Sequence, residues 1–204
     1  MVQVQKDAVR DRIVEAALDQ FAAVGYRQTR MADVAAAAGV STGNIYRYFP
    51  DKEALFAAAV PPHLADRLLE ILERRIEALG AAADLTAEAS DGDDPLLGFW
   101  IAHRRETVVL LGGAADSPLA GIRARFIRGM AGPTLDRLAA QEDGSVADGS
   151  VGEERRLVVE QIFEHTVTTI TAVLSTYHEA AAIRRAMASF RRYQLAGLQA
   201  LLRG

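Results

Sequence analysis

Thr42, Gly43, Asn44, Tyr46, Arg47 and Tyr48 crowd hydrogen-bonding groups and one permanent cation into less than two helical turns. On a helix laid into a DNA groove, Arg47 can fork onto guanine N7 and O6, and Asn44 can pair with adenine. The tyrosine hydroxyls can donate to phosphates. Between them lie Ile45 and Phe49, one turn apart, which with Val34 and Val40 have the spacing to face inward. Met31 to Phe49 therefore reads as a short helix, a Gly39-Val40-Ser41 turn and a second short helix, the helix-turn-helix pattern. Gly39 suits the left-handed backbone of such a turn. The same hairpin also occurs as a plain packing unit with solvated polar residues, so the pattern alone leaves both readings open.

The elements that must carry these groups are helical, and no alternating apolar and polar run demands a strand. A first helix is expected over 7–24, with Ile13, Ala17 and Phe21 on one face and Gly25 as its stop. Thr29 is placed to cap a helix over 30–38, and Ser41 one over 42–49. Pro50-Asp51 ends the latter and Asp51 caps a fourth helix, which Pro61-Pro62 must kink or restart. Helical periodicity resumes over 64–79, and 81–94 reads as a loop. Asp94-Pro95 then opens a helix ending at Gly112-Gly113, and Ser117-Pro118 opens another that Gly132-Pro133 breaks or kinks. Residues 142–152 are the most loop-like. Two long helices close the chain, 153–174 and 177–202, the second opened by a Thr176-x-x-Glu179 capping box.

The chain has 204 residues, half of them apolar, enough for a substantial core. It has no cysteine, which excludes disulfides, thiolate metal sites and cysteine nucleophiles. No signal-peptide pattern and no apolar run of about 20 residues is present, so a cytoplasmic protein with no membrane partner is expected. A net charge of −4 argues against indiscriminate nucleic-acid binding. Locally the balance differs. Between Gly25 and Pro50, Arg27, Arg30 and Arg47 are opposed only by Asp33, whereas Asp7, Asp11, Glu15 and Asp19 crowd the first helix.

The run Ile13-x-x-Ala16-Ala17-Leu18-x-x-Phe21-x-x-x-Gly25-Tyr26-x-x-Thr29, followed by Asp33-Val34-Ala35-x-x-Ala38-Gly39-Val40-Ser41-x-Gly43-x-Ile45-Tyr46-x-Tyr48-Phe49-x-Asp51-Lys52-Glu53-x-Leu55, resembles the DNA-binding signature of the TetR family of transcriptional regulators. The resemblance covers about a quarter of the chain. It implies an all-α protein: a three-helix DNA-binding domain over 1–50, with a linking helix from about 51, and an effector-binding and dimerisation bundle over 51–204. It further implies a homodimer through the last two helices, a palindromic double-stranded operator, a small-molecule effector and, usually, repression. Carried over by position, Thr29 and Arg30 would hold the backbone at the start of the second helix, and Thr42, Gly43, Asn44 and Arg47 would face bases. Ser41 would belong to the same surface, and Tyr46, Tyr48 and Lys52 would hold phosphates. Arg30 stands where the family commonly has a small hydroxyl residue and Tyr48 where histidine is common, which bears on base preference.

Beyond residue 60 only periodicity speaks. Projected at 100° per residue, Leu96, Phe99, Trp100, Leu110 and Leu111 share an arc with His103 and Thr107. Polar groups there are either satisfied by neighbouring protein or, with Trp100, contact a mostly apolar ligand. Val159, Phe163, Val167, Ile170 and Leu174 form a second stripe. Phe163, Thr166 and Thr169 can line a pocket there, although threonine hydroxyls also bond to their own preceding turn. On the last helix Ile183, Met187, Phe190, Leu198 and Leu201 make a stripe around Gln194.

Two other classes compete: a helical partner-binding module without specific DNA binding, and a helical enzyme. For the latter, His63, His103, His165 and His178 form no metal spacing, no catalytic residue stands out, and no cofactor is implied.

Overall fold

The computed structural model describes residues 2–81, 94–141 and 152–203, and within them every regular element is a helix. They are α1 (Val2–Gln28), α2 (Met31–Ala37), α3 (Thr42–Ile45), α4 (Lys52–Ala59) and α5 (Pro62–Ala81), then α6 (Pro95–Ala102), α7 (Arg104–Val108) and a π-helical segment, Val109–Gly113. α8 (Ile122–Gln141), α9 (Glu153–Thr176) and α10 (Ala180–Arg203) complete the chain. The all-α expectation holds. The loops expected at 81–94 and 142–152 lie almost wholly outside the described residues.

The chain divides into two compact units, Met1–Arg67 with His103–Arg123, and Leu68–Ala102 with Ala124–Gly204. In the first, Ile13, Ala17 and Phe21 of α1 are buried together with Val34, Ile45, Phe49, Leu55 and Phe56. Phe21, Tyr26 and Phe56 form an aromatic cluster with centroids 5.0 to 5.9 Å apart. Burying Phe21 and Phe56 fully is worth about 2–3 kcal/mol each. The helix at Gly25 is not simply stopped: φ 78° and ψ 166° break it, and helical residues resume to Gln28. The break lets α1 approach Gly113, where a Cβ would lie 2.8 Å from the Phe21 carbonyl oxygen. Arg105 adds a fork, donating to Glu15 at 2.6 Å and Asp19 at 2.8 Å. Two acids of the first helix are thereby partly neutralised within the unit.

Asp94 organises the second unit. Its Oδ1 accepts from the Leu96 and Leu97 amides at 3.0 and 3.4 Å, capping α6 as expected. Its Oδ2 meets the guanidinium groups of Arg75 on α5 and Arg191 on α10 at 2.5 and 2.8 Å. Burial alone would raise the Asp94 pKa; Arg75, by charge and hydrogen bond, and then Arg191 outweigh it and hold the carboxyl below its usual range.

Several expected boundaries are corrected. The helix opening at Pro95 does not run to Gly112: His103, at φ −120° and ψ 47°, interrupts it. The register then widens to π over Val109–Gly113, so a single 100° projection does not apply. Ser117 does cap a turn, accepting from the Leu119 amide at 3.1 Å, but α8 starts only at Ile122. It runs unbroken through Pro133. The lost hydrogen bond and ring clash cost about 3 kcal/mol, and burial of Phe126, Ile127, Ala131 and Leu138 offsets that cost. Thr176 ends α9 instead of opening α10; the Glu179 carbonyl accepts from the Ala182 and Ile183 amides in the first turn of α10.

Candidate nucleic-acid interface

The candidate surface is made by α2, its turn and α3. Gly39 adopts φ 68°, and Ala38, Gly39 and Val40 return their amides to the Val34, Ala36 and Ala35 carbonyls. This closes the turn by hydrogen bonds within the chain. The Ser41 hydroxyl then accepts from the Asn44 amide at 3.2 Å and caps α3. α3 is shorter than expected, Thr42–Ile45 followed by turns, yet its facing is retained: Ile45 and Phe49 are buried, Val40 half-buried.

That anchoring leaves Thr42, Gly43, Tyr46 and Arg47 exposed and Asn44 and Tyr48 half-buried at one surface. Arg30 is also exposed, at the N-cap position of α2 and with no capping hydrogen bond from its side chain. Arg47 and Asn44 meet the first helix across a groove of about 330 Å³, lined by Lys6, Asp7, Arg10, Asn44, Arg47 and Tyr48. Arg10 lies over the Phe49 ring, 5.3 Å from its centroid.

Two expected phosphate holders are otherwise engaged. Thr29 is buried, its hydroxyl donating to the Gly25 carbonyl at 2.8 Å, so it neither caps α2 nor faces outward. Lys52 turns its ammonium onto the Tyr26, Thr29 and Arg27 carbonyls at 2.9, 3.2 and 3.5 Å, 4.3 Å from the Tyr26 ring centroid. These are the last carbonyls of α1 and its following turn, which lack helical donors and favour a cation. The α4 terminus is meanwhile capped by Asp51, which accepts from the Ala54 amide at 2.7 Å. Burial first, then Glu53 and Asp51, raise the Tyr26 pKa, so its ring faces Lys52 as a neutral phenol.

Lys6 and Arg10 also line the groove, and the sequence carries a signal for them. They continue the Ile13, Ala17, Phe21 stripe backwards at helical spacing, placing cations on the face that should be buried.

The expected effector residues divide between the two units. Trp100, Phe163, Thr166 and Thr169 belong to the second unit, His103 and Thr107 to the first. The Thr166 hydroxyl donates to the Ile162 carbonyl at 2.8 Å and accepts from Gln194 at 2.7 Å; that of Thr169 donates to the His165 carbonyl at 2.9 Å. Both are thus largely satisfied within the protein. Trp100 Nε1 and Thr107 Oγ1 are buried without a hydrogen-bond partner. No cluster of metal-ligating side chains occurs among the described residues.

Residues 13–59 match the family model for bacterial regulatory proteins of the tetR family. The HTH-type transcriptional regulator RutR of Escherichia coli (strain K12) is 45% identical over 53 residues, covering 26% of this chain and 25% of RutR. The HTH-type transcriptional regulator BetI of Escherichia coli O127:H6 is 31% identical over 112 residues, covering 49% of this chain and 57% of BetI. The chain thus spans between a quarter and just over half the length of these relatives. A solved tetR-family transcriptional regulator from Streptomyces coelicolor aligns over 97% of this chain and 87% of its own, at 20% identity and a TM-score of 0.40. The similarity to the tetR family model is thus located in residues 13–59.

Proposed function

We propose that the chain is a sequence-specific, DNA-binding transcriptional regulator, a repressor that a small molecule releases from a palindromic operator. The observation that carries this reading is the outward constellation of Thr42, Asn44, Tyr46, Arg47 and Tyr48 on a buried Ile45–Phe49 anchor, inside the matched segment. Residues 1–50 read DNA and 51–204 sense and dimerise. Arg47 and Asn44 face base edges, Thr42 and Gly43 approach them closely, and Arg30, Tyr46 and Tyr48 hold phosphates. Lys52 and Thr29 serve instead as internal ties. The protein acts in the cytoplasm without catalysing a reaction; its curated relatives are regulators, and no helix among the described residues is long and apolar enough to cross a membrane.

Two copies pair through α9 and α10. Leu157 and Val158 on α9 and Tyr193 on α10 are exposed, Tyr193 at 77%, and a second copy would cover them. A two-fold dimer sets two reading helices one DNA turn apart, about 34 Å. The effector reaches Trp100, whose buried indole N–H lacks a protein acceptor. Its binding changes the spacing of the two heads through α4 and α5, with Pro61-Pro62 at their junction.

The test is selection of a binding duplex from a random pool, followed by gel shift with the full chain. A palindromic winner whose preference disappears in Arg47→Ala, with the dimer intact by sedimentation, supports the reading. No enriched sequence, or a preference that Arg47→Ala leaves unchanged, overturns it.

A further inference from the structure

We propose that the groove between α1 and α3 is a second DNA contact, a seat for one phosphodiester of the backbone beside the bases that Arg47 reads. This rests on the DNA-binding reading above and extends it to residues of the first helix, Lys6 and Arg10.

The groove's lining carries three cations, Lys6, Arg10 and Arg47, against one carboxylate, Asp7, a net charge of +2. Tyr48 and Asn44 add neutral hydrogen-bonding groups. An enclosed, mostly apolar cavity would suit a small organic ligand. This one is open, about 330 Å³ in volume, and none of its lining residues is Leu, Ile, Val, Met or Phe. A hydrated anion attached to a larger body fits that description better than a buried effector. Its position narrows the anion further, because Arg47 and Asn44 belong at once to the groove and to the surface that faces base edges. Any duplex seated on α3 brings backbone phosphates to the groove's mouth.

The placement of Arg10 supports a fixed site over a loose cloud of charge. Its guanidinium stacks on Phe49, itself buried as the anchor of the α3 turn, so the cation is held at a defined height above that turn. Lys6 precedes Arg10 by four residues, on the same face of α1, and lines the same groove. Two acids further along α1, Glu15 and Asp19, are occupied by Arg105, which lessens their opposition to an approaching polyanion.

The full chain is titrated by fluorescence anisotropy with the palindromic duplex selected above and with a scrambled duplex of equal length, over a series of salt concentrations. With Lys6→Ala and Arg10→Ala combined, affinity for both duplexes falls by the same factor, roughly tenfold near physiological salt. The slope of log K against log salt becomes shallower by about 2, one phosphate for each groove of a dimer. Base preference is unchanged. Lys6→Glu alone, at an exposed position, gives the same direction and guards against loss of the Phe49 contact. Arg125→Ala, exposed on α8, is the control for charge at large. An unchanged slope in both groove variants, or an equal change in Arg125→Ala, overturns the proposal. If the wild type selects no sequence, or Arg47→Ala keeps its preference, the underlying reading fails and this inference falls with it. A wild type that selects its palindrome while the groove variants titrate as it does condemns the groove alone.

Discussion

The surface around α3 and the node around Asp94 use similar side chains to opposite ends. At α3 an arginine and a tyrosine are exposed, and an asparagine and a second tyrosine half-buried, around two buried residues. At Asp94 two arginines are drawn in to a carboxylate whose side chain is 3% exposed and whose other oxygen caps a helix. The first arrangement leaves hydrogen-bonding capacity for a partner; the second consumes it in architecture. Charge by itself therefore says little about function. What separates the two is whether the counter-charge comes from the chain.

Substitutions should divide along that line. Asp94→Ala leaves two guanidinium groups facing each other and removes the α6 cap; we expect a loss of about 3 kcal/mol, read from chemical denaturation. A loss below about 1 kcal/mol would place the node among ordinary surface ion pairs. Gly113→Ala comes next, at about 2 kcal/mol, because its Cβ meets the Phe21 carbonyl, and backbone cannot step aside as a flexible side chain can. Arg47→Ala should cost about 1–3 kcal/mol of discrimination between operator and mismatched duplex, yet shift folding stability by no more than about 0.5 kcal/mol. If it destabilised the fold as Asp94→Ala does, the contrast between the two regions would collapse.

The smallest effect is acid dependence. Because the folded Asp94 pKa lies below its unfolded value, its contribution is present above about pH 4 and disappears as pH falls through the folded value. Asp94→Asn should flatten that acid limb in thermal melts across pH 2–6.

The helical hairpin around Gly39 was legible in the sequence because its determinants are local. Gly39, Ser41 and Asp51 each fix a turn or a cap with atoms no more than a few residues away, and Ile45 and Phe49 declare the buried side by spacing alone. The tether of Lys52 is not legible for the converse reason: its carbonyl partners lie 23 to 26 residues upstream, a distance at which spacing carries no information. The interruption at His103 and the widened register after Val108 likewise follow from packing in three dimensions, including the close approach of Gly113 to α1. Cap signals failed where two chemically suitable residues compete, as Thr176 and Glu179 do before α10.

Lys6 and Lys52 are the only lysines in the chain, and the structure gives their amines opposite fates. One is exposed at the edge of a groove; the other is tethered to three carbonyl oxygens. A mild acylating reagent at near-neutral pH thus meets, apart from the amino terminus, a single open amine on the whole molecule. The protein offers a built-in attachment point for a fluorophore at the edge of the α1–α3 groove, with the second amine reacting only when α4 lets go of α1.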